Sequence, residues 1–200
     1  MRSVMVALGV ALGVGVAGAP ARAQPAIPLV DARPAAPGAV AAGARWIGEG
    51  TALGEDNRYE QALDRFLAAA VAHPAAAHDC HVALAYLRIG RLTLARLWLD
   101  AAARRGDARP PWCETTVPVE LSRALATRGF VEVKVAVTPA DAEVWLGDAH
   151  VRGSWSVWLP PGAVELRAER AGYTAARRSI VAAPGAAVEL ALARPAAPAP

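Results

Sequence analysis

Cys80 and Cys113 are the only cysteines in this 200-residue chain, and an even count invites a covalent pair. Around the first of them, His78-Asp79-Cys80-His81 gathers four side chains able to ligate a metal, with His73 nearby and Cys113 as a further soft ligand. Zinc needs ligands that converge on a tetrahedron, and its usual motifs use CxxC pairs or histidines at fixed spacing. Neither is present, and consecutive residues at a helix start fan to different faces, so no metal or other cofactor is expected. Cys80-His81 also lacks the first cysteine of a haem-attaching CxxCH. Catalytic sets are missing too. Ser122, Ser154, Ser156 and Ser179 have no nucleophile-elbow context, and no glycine-rich loop opens a helix to cradle phosphate. Glu55 and Asp56 form a carboxylate pair, but they fall in a turn, where acidic residues serve as solvated caps. The residues therefore predict a protein that is not an enzyme.

The N-terminus bears on the compartment of the cysteine pair. Arg2 supplies a positive start, residues 4–17 form an uncharged apolar run, and Ala21-Arg22-Ala23 has the small-x-small form of a signal cleavage site. The run is glycine-rich and shorter than the ~20 residues of a bilayer span. Residues 1–23 are thus expected to be removed as a signal peptide, leaving a chain from Gln24 with no transmembrane anchor. No cysteine follows the run to carry a lipid. The chain has 21 Lys and Arg against 18 Asp and Glu, and losing Arg2 and Arg22 (21 − 2 = 19) leaves 19 against 18. A near-neutral exported protein lacks the basic surface that attracts phosphate, which excludes nucleic acid as a partner. Export, to the periplasm or cell envelope, also makes a Cys80–Cys113 disulfide the expected state of the pair.

Residues 24–42 are rich in Pro and Ala without a period and read as an extended linker. From Gly43 helical spacing takes over. Trp46, Gly50 and Leu53 share a face, residues 54–57 turn, and Tyr59, Ala62, Phe66 and Ala69 form a second face closed by Pro74. Small Gly50 and Ala62 let two helices approach closely, while Trp46, Tyr59 and Phe66 fill the space around them. The pattern then recurs 33 residues on (92 − 59 = 33), with Ala83, Tyr86, Leu92, Ala95, Leu99 and Ala102 matching Gly50, Leu53, Tyr59, Ala62, Phe66 and Ala69.

This order of Trp46, Gly50, Tyr59, Ala62, Phe66 and Pro74 resembles the tetratricopeptide repeat (TPR), a helix-turn-helix unit of about 34 residues. The second copy departs from it, with Asp79 for the Trp, Ala83 for the Gly and Asp107 where the closing Pro would stand. Two repeats cannot bury their ends alone, and a capping helix is expected over residues 119–128, started by Pro118, closed by Gly129, with Leu121, Ala124 and Leu125 inward. The helical domain is thus read as residues 43–129.

At Phe130 the period changes to 2. Val131, Val133, Val135 and Val137 alternate with Glu132, Lys134 and Ala136, and strand signals follow at residues 142–146, 155–159, 163–170, 174–181 and 186–192, each bounded by Gly or Pro. Six short strands predict a small antiparallel β-sandwich over residues 130–194, with a disordered tail at 195–200. The run Pro139-Ala140-Asp141-Ala142-Glu143-Val144-Trp145-Leu146-Gly147, then Leu159-Pro160-Pro161-Gly162 and Gly172-Tyr173, resembles the PEGA domain, a sandwich unit of bacterial envelope proteins often found beside helical repeats. The name-giving tetrapeptide reads Pro-Ala-Asp-Ala here. The fold class expected is α + β in separate modules, a short TPR-like α-hairpin solenoid followed by a PEGA-like sandwich.

On the hairpin reading, Cys80 opens the first helix of the second unit and Cys113 lies just past its second, antiparallel helix, so the two return to the same end. Closing that loop stabilises by about 3–4 kcal/mol in the chain-entropy model. Ile47, Thr51 and Glu55 run at i, i+4, i+8 beside the packed face of the first helix, as do Cys80, Leu84 and Arg88 on its counterpart. The repeat resemblance implies that this face lines a concave groove for an extended peptide. Ile47, Thr51, Glu55, Leu84 and Arg88 are therefore the expected partner-binding residues. Trp145, Trp155 and Trp158 in the sandwich read as core, with a sugar-binding platform as the alternative. Together these features predict an exported adaptor or scaffold for an envelope protein or peptide segment, the alternative partner being a cell-wall polysaccharide.

Overall fold

The computed structural model describes residues 37–195 apart from 148. The expected signal peptide, residues 24–36 of the linker and residues 196–200 of the tail lie outside the described residues. Within them the helices come first and the strands follow, as the change of period predicts.

Two helical hairpins stand side by side. α1 (Ala39–Glu55) pairs with α2 (Tyr59–Ala72), α3 (Ala76–Arg88) with α4 (Leu92–Arg105), and α2 packs on α3. α1 begins at Ala39 rather than Gly43, which takes residues 39–42 out of the expected linker. Gly38 supplies the break, with φ 80 and a carbonyl that accepts the first helical bond from Ala42 at 3.0 Å. The Ala-rich first turn has good helix propensity but no apolar period to announce it. At the α1–α2 turn Asn57 adopts φ 59 and accepts a 2.7 Å hydrogen bond from the Tyr59 hydroxyl.

Gly50 is where α1 and α2 come closest. A Cβ built there would lie 2.4 Å from Cε1 and 2.6 Å from Cδ1 of Phe66, so Gly50→Ala drives the ring out of its buried seat. Overpacking of this kind costs about 1–3 kcal/mol, and the gain in helix propensity of about 1 kcal/mol offsets only part of it. A net loss of up to about 2 kcal/mol in urea titrations is expected. An unchanged midpoint would mean that Phe66 yields freely.

Two further helices follow, α5 (Pro111–Glu114) and α6 (Thr116–Thr127), with α6 packed on α4. The capping helix thus starts before residue 119, and Pro118 sits within its first turn, where the missing N–H breaks no helical bond. Val117, Leu121 and Leu125 are its buried residues. α5 has no counterpart in the sequence reading, because four residues cannot display a period.

The strand half contains seven strands rather than six: β1 (Val131–Thr138), β2 (Glu143–Leu146), β3 (Ala149–Arg152), β4 (Trp155–Leu159), β5 (Gly162–Glu169), β6 (Ala176–Ala182) and β7 (Ala187–Ala191). They form two sheets, ordered β4-β1-β7 and β3-β2-β5-β6. The additional β3 alternates buried Ala149 and Val151 with His150 and Arg152, a signal weakened by its length. A second correction concerns direction, since β1 and β7 pair in parallel, Lys134 opposite Ala187 and Thr138 opposite Ala191. The other pairs are antiparallel. Val133, Val135 and Val137 of β1 are buried as the alternation predicts, and with Val144, Leu146 and Leu166 they belong to one continuous hydrophobic core.

α4 joins the two halves. Leu94, Leu97, Trp98 and Ala101 are buried on it besides the expected Leu92, Ala95, Leu99 and Ala102, and a helix apolar on nearly every side is one packed on several sides. Thr93, Leu97 and Arg104 lie on one face by helical spacing. Thr93 Oγ1 donates to the Trp158 carbonyl at 2.6 Å, and the Arg104 guanidinium lies 3.7 Å from the Trp155 ring centre. The edge strand β4 is thereby covered by a helix, which removes one free edge from the three-stranded sheet.

Candidate functional site

Four of the five expected docking residues, Thr51, Glu55, Leu84 and Arg88, line one open groove of about 390 Å³ between the two hairpins. Helical spacing brings them there, since one turn separates Thr51 from Glu55 on α1 and Leu84 from Arg88 on α3. Ile47 does not join them. It is partly buried and packed against the core, which takes up its apolar side chain. Tyr59 and Phe66 from α2, His81 from α3 and Trp112 from α5 complete the walls.

Three of those walls form a row of rings in contact. The His81 imidazole lies 5.1 Å from the Phe66 ring and 5.0 Å from that of Trp112, edge-on to the indole at 80°. His81 Nδ1 is 2.8 Å from the Ala77 carbonyl. A carbonyl only accepts, so Nδ1 carries the proton and Nε2 is left as an acceptor in the neutral ring. Burial lowers the His81 pKa below its ordinary value, which keeps the ring neutral at pH 7.

The Cys80–Cys113 disulfide exists, joining α3 to α5 with Cα atoms 5.8 Å apart. His81 follows Cys80 and Trp112 precedes Cys113 in sequence, so the bond that ties the cysteines also brings these two rings together. Both cysteines are buried. The charges at the rim differ in state. Arg88 is paired, its Nη1 2.8 Å from Glu120 Oε2, a contact worth at most about 1 kcal/mol at this exposure. Glu55 is exposed and has no ion-pair partner among the described residues.

In the second hairpin Asp79, 33 residues on from Trp46 (79 − 46 = 33), is fully buried. Arg105 Nε donates to Asp79 Oδ2 at 2.5 Å, and the Arg105 side chain is only 4% exposed. Asp79 Oδ1 and Arg105 Nη2 are buried without hydrogen-bond partners. Loss of water around the carboxylate pushes the Asp79 pKa up to about 6, against the opposing pull of Arg105. The equivalent Trp46 of the first hairpin instead lies under two guanidiniums, Arg45 at 4.6 Å and Arg65 at 5.0 Å.

The candidate metal ligands are otherwise engaged. Cys80 and Cys113 are bonded to each other, Asp79 to Arg105, and Nδ1 of His78 contacts the His73 carbonyl at 2.7 Å. Among the described residues no group of three or more His, Cys, Asp or Glu could hold a metal ion. The three sandwich tryptophans do not share a surface. Trp155 is buried beneath Arg104, Trp158 lies on the opposite face of the same strand, and Trp145 is on the other sheet. Its cross-strand neighbours flank Trp145, His150 stacked at 4.4 Å and 9°, and Arg167 with its guanidinium 4.9 Å from the ring centre.

No protein-family model matches the chain, and no curated protein matches it in sequence.

Sequence reasoning missed Trp112 and His81 as groove residues. Their signal was adjacency: each is the chain neighbour of a cysteine, so accepting the disulfide already brings them within ring contact of each other.

Proposed function

We propose that the protein is an exported, non-enzymatic adaptor of the bacterial cell envelope, which docks a segment of a partner protein in the groove between α1 and α3. The strand half orients or anchors the helices through α4. The observation that carries this reading is the convergence of Thr51, Glu55, Leu84 and Arg88 on one largely apolar groove, with a disulfide bracing its Trp112 wall. A disulfide is the state of paired cysteines in an oxidising compartment, and no described helix is long and apolar enough to cross a membrane. The TPR and PEGA resemblances point the same way, because helical repeats present concave surfaces to extended segments. Binding of wall polysaccharide would need an aromatic face open to a sugar ring. Trp155 is buried and Trp145 is flanked by His150 and Arg167, so this second reading has no comparable support.

Affinity capture from intact envelopes tests the proposal. The wild type is expected to recover a partner protein, and Thr51→Arg or Leu84→Asp to lower that recovery about tenfold, the effect of losing a central contact. Thr51 is exposed, so its variant fills the groove without disturbing the core. Equal recovery by the wild type and both folded variants would reject the groove as the docking site.

A further inference from the structure

Resting on the docking reading, we infer that the segment taken up by the groove is cationic beside its anchor: a Lys or Arg next to a bulky apolar side chain. The charges at the rim carry the inference. Among the described residues, Glu55 and Arg88 are the only carboxylate and guanidinium lining the groove, and Arg88 already has Glu120 as its partner. Glu55 has none among the described residues, and the adjacent Asp56 adds a second exposed acid. The open charge at the groove is therefore negative.

The backbone adds to it. Glu55 is the last residue of a 17-residue helix whose final turn contains no basic side chain. The partial negative charge of that helix end meets no basic side chain in its own last turn, and the nearby Arg58 directs its guanidinium to Gln61. A ligand ammonium or guanidinium at Glu55 meets the carboxylate and the helix terminus together, and an anionic ligand meets both as repulsion.

The remaining walls define what sits beside the cation. Tyr59, Phe66, Leu84 and Trp112 offer apolar and aromatic surface, and about 390 Å³ is at the small end of ligand pockets, enough for an anchor side chain and its neighbours rather than a long strand. His81 Nε2 accepts a hydrogen bond from an N–H or O–H of the same segment, the only role a neutral ring with its Nδ1 proton committed can offer there.

Panning the purified protein against a displayed random heptapeptide library, followed by fluorescence anisotropy on the enriched peptides, tests this. Enrichment of Lys or Arg within two positions of Trp, Phe, Tyr or Leu is expected. Glu55→Lys should weaken those peptides about five- to tenfold, as removal of a rim charge pair does, and a selection on Glu55→Lys should favour Asp or Glu instead. Peptides that bind the wild type and are blocked by Thr51→Arg, yet show no basic preference and no response to Glu55→Lys, would overturn the inference and leave the docking reading standing. Failure of any peptide to bind overturns both. Self-association in sedimentation that Thr51→Arg abolishes would give the groove to a second copy of the chain and also overturn the inference.

Discussion

Arg105→Met should cost the fold about 3–5 kcal/mol at pH 7, the usual penalty for leaving a buried charge without its partner, whereas Asp79→Asn should cost less, because Asn keeps an acceptor for Arg105 Nε although it leaves the buried guanidinium without a counter-charge. The asymmetry follows from burial. Asp79 has lost its water and keeps one oxygen unpartnered, so its carboxyl holds a proton up to about pH 6 in the folded chain, against 3.8 unfolded. A group whose pKa rises on folding contributes stability that is fully present below the unfolded value and is lost as pH rises through the folded one. At about 1.4 kcal/mol per pH unit the loss between pH 4 and pH 7 amounts to about 3 kcal/mol. Asn copies the protonated acid and removes this dependence. Removal of Arg105 takes away the one group that favours the carboxylate, and its cost should shrink as the solution is made more acidic.

Urea titrations of the wild type and Asp79→Asn at pH 5 and pH 7 decide the matter. His78 and His81, whose pKa values burial lowers, act in the opposite sense. Their contribution is present above the unfolded value of 6.5 and is lost as pH falls through the folded one. They are common to both proteins and cancel in the difference. A destabilisation of Asp79→Asn at pH 7 as large as that of Arg105→Met would show that the ion pair outweighs its burial.

Removing the disulfide is the second large effect. Replacing both Cys80 and Cys113 by Ala opens a loop with a sequence separation of 33, and loop-closure entropy puts the cost at about 3–4 kcal/mol. The loss is not only global. α5 is a four-residue helix, held to its surroundings by the disulfide, by the Trp112 contact with His81, by an Arg109–Glu114 ion pair at 2.9 Å and by its packing on α6. Without the covalent tie the Trp112 wall should loosen before the helical core does. A red-shifted and more quenchable tryptophan emission is expected at urea concentrations that leave the helical circular dichroism intact. Identical urea midpoints for the oxidised and cysteine-free proteins would refute the stabilising role.

The residues that pack the hairpins were legible because Gly50, Ala62, Phe66 and their partners 33 positions later obey one helical period. Most of the groove was legible for the same reason, one turn of helix separating Thr51 from Glu55 and Leu84 from Arg88. Ile47 lies outside that groove because periodicity assigns a face but not how far the core draws an apolar side chain in. The extra apolar residues of α4, Leu94, Leu97, Trp98 and Ala101, were in plain view as a helix without a polar side, the signature of packing on several sides. Asp79 was read as a lapse from the repeat pattern. Its compensation, Arg105, lies on the other helix of the hairpin, and no local rule connects them. β3 was too short to stand out, and the parallel partner of β1 is a matter of topology that alternation cannot reveal.

That parallel pair has a consequence for how the chain is assembled. β1 lies between β4, which follows it after β2 and β3, and β7, whose first paired residue, Ala187, meets Lys134. The helical hairpins close over short loops, whereas the three-stranded sheet must bring together residues from the two ends of the strand half. Contacts of such long sequence separation form late. A chain delivered N-terminal end first can therefore complete its helices and dock β4 on α4, while β1 keeps one side of its backbone unpaired until residues 187–191 arrive. During that interval the exposed edge of β1 is the point at which a second unfinished chain would pair. Assembly of the groove between the hairpins and closure of the sheet are thus separate events, and the slower of them waits for the last strand.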